Sequence, residues 1–320
     1  MHRLMGAGKG GRPRQRPTRP IGLNELSVPS IPSDQPLSRD NKWFIPNPVA
    51  SRLYQKSALG VPVEDGIVMS AEEVMFCHWH RHIPISTEWV DARLAEDADF
   101  AHRCVAYDVA RSGGEKIVPV DGKWLRWPRE SHPSKSGPFA EVKWAKTGDD
   151  FAWEDLFSWV EEVIGNGMVP ELALVDDEMD VTMYRLSLID PQGSLEPSTV
   201  DYPSDQIGIE HLSRRFYRAD ESAWMAGHTD EVSRLFGELN SRGLLLRPGF
   251  KYGCRWRVYS TPIDEEHAPW LMQLQADAPE DWEGVCLAVR LAEGVNKGWV
   301  VALDLSGWKF LMFRRHLPGR

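Results

Sequence analysis

The sequence predicts an α/β fold, with helices and strands mixed as in α+β proteins, that is built from two tandem copies of one domain. The chain has 320 residues, which is long for a single core and suits two domains. Helical and strand patterns alternate along it, and rare residues recur at a constant offset of 129 positions. Each copy is expected to contain a small N-terminal α/β subdomain and a C-terminal mixed sheet flanked by helices.

The charge is unevenly distributed. The chain has a net charge of −10, yet its first twenty residues contain six Lys/Arg and no acid. Residues 1–40 are rich in Gly, Arg, Pro and Ser without a hydrophobic period, which predicts a disordered basic arm. The remaining acidic body is unusual for a nucleic-acid-binding protein, so a site for a polyanion must be a local cluster of cations.

Several classes of protein are excluded by composition. No run of eighteen apolar residues is present, so no membrane span is expected. The N-terminus lacks the apolar segment of a secretory signal, which favours a cytoplasmic location. The four cysteines show no CxxC pairing, as expected of thiols in a reducing compartment; they are Cys77, Cys104, Cys254 and Cys286.

A histidine cluster is the one candidate metal site. His78 and His82 are four residues apart on a predicted helix, with His80 between them, and this spacing can hold zinc. No further ligand is placed opposite them by the sequence, and surface or core histidines are the commoner explanation of such a pattern. We therefore predict no metal and no cofactor.

The first copy is predicted to occupy residues 41–190. Ser70 and Glu73 form a capping box that begins a helix, which ends near Pro84. A second helix over 91–114 is stopped by two glycines. The remaining patterns are three strands, a helix and a hairpin, over 116–120, 123–127, 140–144, 151–164, 172–175 and 181–187.

A Pro/Ser/Gly-rich linker over 191–205 leads to the second copy, residues 206–320. The pattern predicts helices over 211–225 and 230–241, the latter ended by Gly243. The 129-residue offset aligns Gly114 with Gly243 and Trp153 with Trp282. Because it holds across a whole order of helices and strands, we interpret it as a duplication.

The same offset shows where the copies differ. Tyr259 falls on Glu130, His267 on Pro138 and Lys297 on Met168. The three residues able to do acid–base chemistry thus occur only in the second copy. We expect the second copy to be catalytic and the first to be pseudocatalytic.

Tyrosine, histidine and lysine together could cleave RNA without a metal. RNA carries its own nucleophile, the 2′-hydroxyl, and needs a base, an acid for the leaving 5′-oxygen and a cation for the charge on phosphorus. A phenol serves as base only with a cation nearby. Each residue also has an ordinary explanation, since Tyr259 ends an apolar strand and His267 and Lys297 lie in loops.

A family resemblance favours the catalytic reading. Residues 249–259 read Gly-Phe-Lys-Tyr-Gly-Cys-Arg-Trp-Arg-Val-Tyr, His267 follows in a loop, and Arg290 stands seven residues before Lys297 in Asn-Lys-Gly-Trp-Val-Val-Ala-Leu-Asp. This pattern resembles the signature of the tRNA-intron splicing endonucleases in its archaeal, fused tandem-repeat form. The resemblance extends over both copies, from about Trp43 to the C-terminus.

The resemblance implies a specific activity. The family cleaves precursor tRNA at bulge-helix-bulge junctions by metal-independent attack of the 2′-hydroxyl, leaving 2′,3′-cyclic phosphate and 5′-hydroxyl ends. It assigns Tyr259 as base, His267 as acid and Lys297 as charge stabiliser. Arg290 is expected to stack on a bulge base, together with a second arginine that is either Arg314 or Arg315.

The resemblance also implies an assembly. Fused copies of this kind form homodimers, in which an acidic hairpin turn docks into a basic cleft of the partner. The matching turn here carries Asp176, Asp177, Glu178 and Asp180. A solvated surface turn would have the same composition.

Two other functions are less well supported by the sequence. A restriction-type nuclease needs clustered carboxylates, a lysine and a divalent metal, and no such spacing occurs in either copy. A non-catalytic RNA-binding or structural subunit of a splicing endonuclease complex is the stronger alternative. The acidic body favours it, and the intact Tyr/His/Lys set opposes it.

Overall fold

The computed structural model describes residues 43–200 and 207–319. The arm predicted for 1–40 and residues 201–205 of the predicted linker lie outside the described residues. Within the described ranges, no helix combines the length and apolarity that crossing a membrane requires.

The first half begins with a small α/β subdomain. Its strands form a three-stranded antiparallel sheet in the order β1-β3-β2. The elements are β1 (Trp43–Pro46), α1 (Val49–Ser57), β2 (Val61–Val63), β3 (Gly66–Met69), α2 (Ala71–Arg81) and α3 (Thr87–Glu96). This arrangement agrees with the predicted N-terminal subdomain of the first copy.

The capping box at the start of α2 is confirmed. Ser70 Oγ accepts a hydrogen bond from the Glu73 N–H at 3.4 Å, and the Glu73 carboxylate accepts one from the Ser70 N–H at 2.9 Å. The other oxygen of Glu73 accepts from Gly60 N–H at 2.8 Å. Burial raises the pKa of Glu73 to about 7. A single side chain thus joins the start of α2 to the turn before β2.

The rest of the first half supplies five strands and two helices. They are α4 (Phe100–Ala110), β4 (Lys116–Val120), β5 (Lys123–Trp127), β6 (Ala140–Lys146), α5 (Trp153–Gly165), β7 (Val169–Val175) and β8 (Val181–Ile189). The single helix predicted over 91–114 is wrong, because α3 and α4 are separate. Between them, Asp97 Oδ1 accepts a hydrogen bond from the Asp99 N–H at 3.0 Å, a local bond that competes with the helix.

The second half repeats this order with fewer elements. They are β9 (Ile209–His211), β10 (Arg214–Phe216), α6 (Ala219–Met225), α7 (Glu231–Ser241), β11 (Leu245–Pro248), β12 (Trp256–Tyr259), β13 (Trp270–Leu274), α8 (Trp282–Glu293), β14 (Gly298–Leu305) and β15 (Gly307–His316). The helix predicted over 211–225 is wrong for its first part, where β9 and β10 form a hairpin. Its turn residues, Leu212 and Ser213, have φ of 53° and 56°, and neither is the Gly or Asn that signals such a turn.

One ten-stranded sheet unites the two halves in the order β11-β12-β13-β14-β15-β8-β7-β6-β5-β4. The halves meet where β8 pairs with β15. In each half, counted from its outer edge, two antiparallel pairings are followed by a parallel pairing across a helix and a last antiparallel one. The mixed α+β class is therefore confirmed, and the two halves have the same topology.

The helices lie on both faces of this sheet. Helices α5 and α8 share one apolar core with the central strands, whereas α4 and α7 pack on the opposite face in separate cores. Phe151 stacks on Trp282 at 3.9 Å, and Trp153 Nε1 donates to the Pro279 carbonyl at 3.1 Å. The two halves are thus joined through one core and one sheet.

The N-terminal subdomains also correspond. Glu221 accepts hydrogen bonds from the Gly208 and Arg218 N–H groups at 3.2 and 2.8 Å, as Glu73 does from Gly60 and Ser70. Here the offset is 148 rather than 129. The difference is explained by α3, which has no counterpart between α6 and α7.

Candidate active site

In the second half, the ends of three neighbouring strands, β12, β13 and β14, lie side by side at one end of the sheet. Val258 pairs with Trp270, and Trp270 pairs with Gly298. Extending this register by one residue puts Tyr259, Pro269 and Lys297 next to one another in one row across the three strands. Residues in one row share a face, and two strand spacings separate their Cα atoms by about 10 Å. Tyr259 and Lys297 are thus brought to one face.

Lys297 is tied to the loop that carries His267. Its Nζ donates a hydrogen bond at 2.5 Å to the carbonyl of Ala268, the residue after the histidine. Burial, together with the nearby charge of Arg257, lowers the pKa of Lys297. The lysine is therefore held in a partly desolvated position beside the loop.

His267 itself is exposed in this loop, whereas Ala268 is buried. Ala268 packs in a small cluster with Leu245 and Tyr259, whose exposed fraction is 8%. The loop is thus anchored directly after the histidine. The structure therefore brings the phenol, the lysine and the histidine loop to the same edge.

The strand register corrects one part of the comparison between halves. Leu245 of β11 pairs with Tyr259, and its counterpart Lys116 of β4 pairs with Trp127. Trp127, not Glu130, therefore takes the place of Tyr259, and the predicted match is wrong. The connection between β11 and β12 is longer than that between β4 and β5, which shifts the offset locally.

The match between Lys297 and Met168 survives this correction. Val169 pairs with Ala140 as Gly298 pairs with Trp270, so each residue precedes the equivalent strand by one position. An indole N–H is only a donor and a thioether carries no charge. The first half therefore has neither a base nor a cation at these two positions.

Arg315, not Arg314, lies on the face of Lys297. Trp299 pairs with Phe313 in the antiparallel strands β14 and β15. Extending this register by two residues places Lys297 opposite Arg315, on the same face. Arg315 and Arg290 both line an open groove of about 850 Å³ between α8 and the β7–β8 turn. The structure brings these two arginines together and turns Arg314 to the opposite face.

The acidic turn lines the same groove. Asp176 Oδ1 accepts hydrogen bonds from the Glu178 and Asp180 N–H groups at 3.0 and 2.9 Å, so this carboxylate shapes the turn. The side chains of Asp177, Glu178 and Asp180 are exposed. Sequence patterns alone do not place this turn beside Arg290 and Arg315 of its own chain, because the turn and the arginines are more than a hundred residues apart.

The histidines of α2 have ordinary partners. His80 Nε2 lies 2.6 Å from Asp108, and His78 Nδ1 lies 3.1 Å from the Ile83 carbonyl. Over residues 43–200 and 207–319, no three His, Cys, Asp or Glu side chains are grouped so as to hold a metal ion.

Comparison with known proteins agrees with this geometry. The profile of the family described as tRNA intron endonuclease, catalytic C-terminal domain, matches residues 233–307. Residues 233–307 are thus similar to that catalytic domain. The matched segment spans α7 to β14 and includes Tyr259, His267, Arg290 and Lys297.

Individual relatives extend the likeness beyond residues 233–307. The tRNA-splicing endonuclease of Methanosarcina acetivorans is 25% identical over 79% of this chain and 91% of the relative. That of Methanopyrus kandleri is 29% identical over 35% of this chain and 59% of its own length, and that of Thermoplasma volcanium is 28% identical over 44% and 53%. The chain thus spans little more than half of the latter two relatives. The resemblance to archaeal-type tRNA-splicing endonucleases is confirmed.

Proposed function

We propose that this chain cleaves precursor tRNA at intron–exon junctions. The observation that carries the proposal is that Tyr259, Lys297 and the His267 loop lie together at one end of the sheet, within the segment that is similar to the catalytic domain of tRNA intron endonucleases. The chemistry needs no metal ion, because RNA supplies the nucleophile and the protein supplies the acid, the base and the cation.

In the proposed reaction, Tyr259 takes the proton of the 2′-hydroxyl next to the scissile phosphate. The resulting oxygen attacks phosphorus, and the bond to the 5′-oxygen breaks. His267, exposed on its loop, gives its proton to that leaving oxygen. Lys297 stabilises the added negative charge on the phosphate. The products carry a 2′,3′-cyclic phosphate and a 5′-hydroxyl.

We further propose that the two halves are copies of one domain, with residues 41–190 pseudocatalytic and 206–320 catalytic. The shared strand order and the matching Glu73 and Glu221 contacts support duplication. Trp127 and Met168 support the loss of chemistry in the first half. Arg290 and Arg315, in one groove, are proposed to bind a bulge base of the RNA.

The test of this function is cleavage of an intron-containing precursor tRNA in excess EDTA. We expect the intron to be released at the two junctions, and with undiminished rate relative to a magnesium buffer. Loss of cleavage on chelation would contradict the metal-free mechanism. Tight RNA binding without any cleavage, with or without magnesium, would instead support the non-catalytic subunit.

For assembly, we propose a homodimer in which the acidic turn of one copy enters a cationic cleft of the other. A cleft of about 550 Å³ in the first half is lined by Lys56, Arg81, Arg111, Lys116 and Arg129. Its three acids are already paired, since Asp108 lies 2.6 Å from His80, Glu115 lies 2.7 Å from Arg126 and Glu130 lies 3.7 Å from Arg129. Among the described residues, Lys56, Arg81, Arg111 and Lys116 thus have no carboxylate partner, and their positive charge is complementary to the turn. The cytoplasmic location stays a prediction.

Reversing the charge of the turn should dissociate this dimer. The variant Asp177→Lys/Glu178→Lys leaves Asp176 to shape the turn, and we expect its dimer dissociation constant to rise at least about 100-fold because like charges then meet. Adding Lys116→Glu/Arg129→Glu in the same chain should restore the dimer. Sedimentation velocity measures the change.

A matched control reverses two adjacent exposed acids of another hairpin turn, Glu64→Lys/Asp65→Lys. We expect this variant to sediment as the parent does. Equal dissociation of the control and the turn variant would show that net charge alone acts. An unchanged dimer in the turn variant would remove the docking proposal.

A further inference from the structure

The two halves differ at four positions on one face of the sheet. In the first half, Val118, Leu125 and Trp127 form an apolar cluster with Ala58, and Met168 lies at the neighbouring strand end. The strand register places the second half's counterparts at Arg247, Arg257, Tyr259 and Lys297, since Val118 pairs with Leu125 as Arg247 pairs with Arg257. The same surface is therefore apolar in one half and cationic in the other.

Arg247 has a structural role in this surface. Its guanidinium donates to the Gly208 carbonyl at 3.1 Å and lies 3.9 Å from the buried Glu221. The side chain has an exposed fraction of only 14%. Arg247 thus fastens β11 to the turn before β9 and is unavailable to a ligand.

Arg257 is differently placed. Its Nε donates to the Pro248 carbonyl at 3.0 Å, which fixes the side chain and leaves both terminal nitrogens without a hydrogen bond to any described residue. Its guanidinium carbon lies 5.9 Å from the centre of the Tyr259 ring. The two terminal nitrogens of the Arg257 guanidinium are therefore held in a fixed orientation, partly exposed, next to Tyr259, the predicted base.

Arg257 and Lys297 also act on each other electrostatically. The Arg257 charge contributes to the lowered pKa of Lys297, and neither residue forms an ion pair with a carboxylate of the described residues. Two cations without an acid between them are costly in a folded protein, and a bound anion relieves the repulsion. The planar fork of arginine matches two oxygens of a phosphate.

We propose that Arg257 is a fourth residue of the active site, which binds a non-bridging oxygen of the scissile phosphodiester together with Lys297. This inference rests on the proposed RNA cleavage. It adds a substrate contact that lies outside the Tyr/His/Lys set and that the sequence analysis missed. The signal in the sequence is that Arg257 and Tyr259, two residues apart, share one face of their strand, where the first half has the apolar residues Leu125 and Trp127.

The test is single-turnover cleavage of precursor tRNA with protein in saturating excess. We expect Arg257→Ala to slow the step about 10²- to 10³-fold, the typical effect of losing one donor to a developing oxyanion. Arg257→Lys keeps the charge without the fork and should lie between. The matched control is Arg255→Ala, which removes a partly exposed arginine that lies just before β12 and is paired with Asp277 at 2.6 Å. We expect no change in rate for it.

A phosphorothioate at the scissile position separates a phosphate contact from a folding effect. The parent protein should cleave one thio diastereomer more slowly than the other, and Arg257→Ala should reduce this selectivity, with Lys297 as the remaining contact. Full-rate cleavage by Arg257→Ala, or unchanged thio selectivity, would overturn the inference. If the parent protein does not cleave precursor tRNA at all, the proposed function itself fails. Slow cleavage by Lys297→Ala with fast cleavage by Arg257→Ala removes only the role of Arg257.

Discussion

Tyr259→Phe should greatly slow RNA cleavage while leaving the fold intact. The phenylalanine ring keeps the packing against Leu245 and Ala268 but cannot accept the proton of the 2′-hydroxyl. We expect the single-turnover rate to fall by about 10²- to 10⁴-fold, the usual contribution of a general base. Lys297→Ala and His267→Ala should cause losses of similar size, because each removes one of the three required groups.

The matched control lies in the first half. Trp127→Phe changes the residue that occupies the place of Tyr259, and we expect the rate to stay within about twofold of the parent. Thermal denaturation of all four variants checks that they fold. A Tyr259→Phe protein that cleaves at the parental rate would show that the phenol is not the base.

Glu171→Ala should cause the largest loss of stability. Glu171 is fully buried and lies 2.6 Å from Arg126, 2.9 Å from Arg185 and 3.5 Å from His316. His316 belongs to β15, so these contacts cross the seam between the two halves. Removing the carboxylate leaves the buried Arg126 with Glu115 alone. We expect the free energy of unfolding to fall by about 3–5 kcal/mol, measured by urea denaturation.

The second half provides the control for this prediction. The strand register places Val258 at the position of Arg126 and Val300 at the position of Glu171. The double variant Arg126→Val/Glu171→Val should therefore recover at least half of the stability lost in Glu171→Ala, since an apolar pair replaces a buried ion pair at little cost. A Glu171→Ala protein as stable as the parent would show that these contacts contribute nothing.

Local chemistry explains what the sequence could predict. Some features depend only on near neighbours, such as the Ser70–Glu73 capping box and the strands around the two-residue turn after Val120. Others depend on the repeat itself, such as Trp153 and Trp282, which the 129-residue offset aligns. These features lie where the sequence placed them. The family signature around Tyr259 and Lys297 likewise named residues that share one sheet edge.

What failed depended on pairing between distant segments. A constant offset aligns Tyr259 with Glu130 because it cannot show that the connection before β12 is longer than the one before β5. Strand pairing identifies Trp127 as the true counterpart. Arg314 and Arg315 could not be separated until β14 and β15 were in register. Sequence patterns do not single out Arg257, because an arginine in a strand is common. It becomes notable only when the strand register shows that its counterpart in the first half is the apolar Leu125.

The most direct test of the central claim is the chemistry at a single junction. A precursor tRNA with one 2′-deoxynucleotide immediately 5′ of one scissile phosphate should be cleaved, in EDTA, only at the unmodified junction. The product of that cut should end in a 2′,3′-cyclic phosphate and a 5′-hydroxyl. Cleavage at the deoxy junction at the normal rate would contradict attack by the 2′-hydroxyl, and with it the roles proposed for Tyr259, His267 and Lys297.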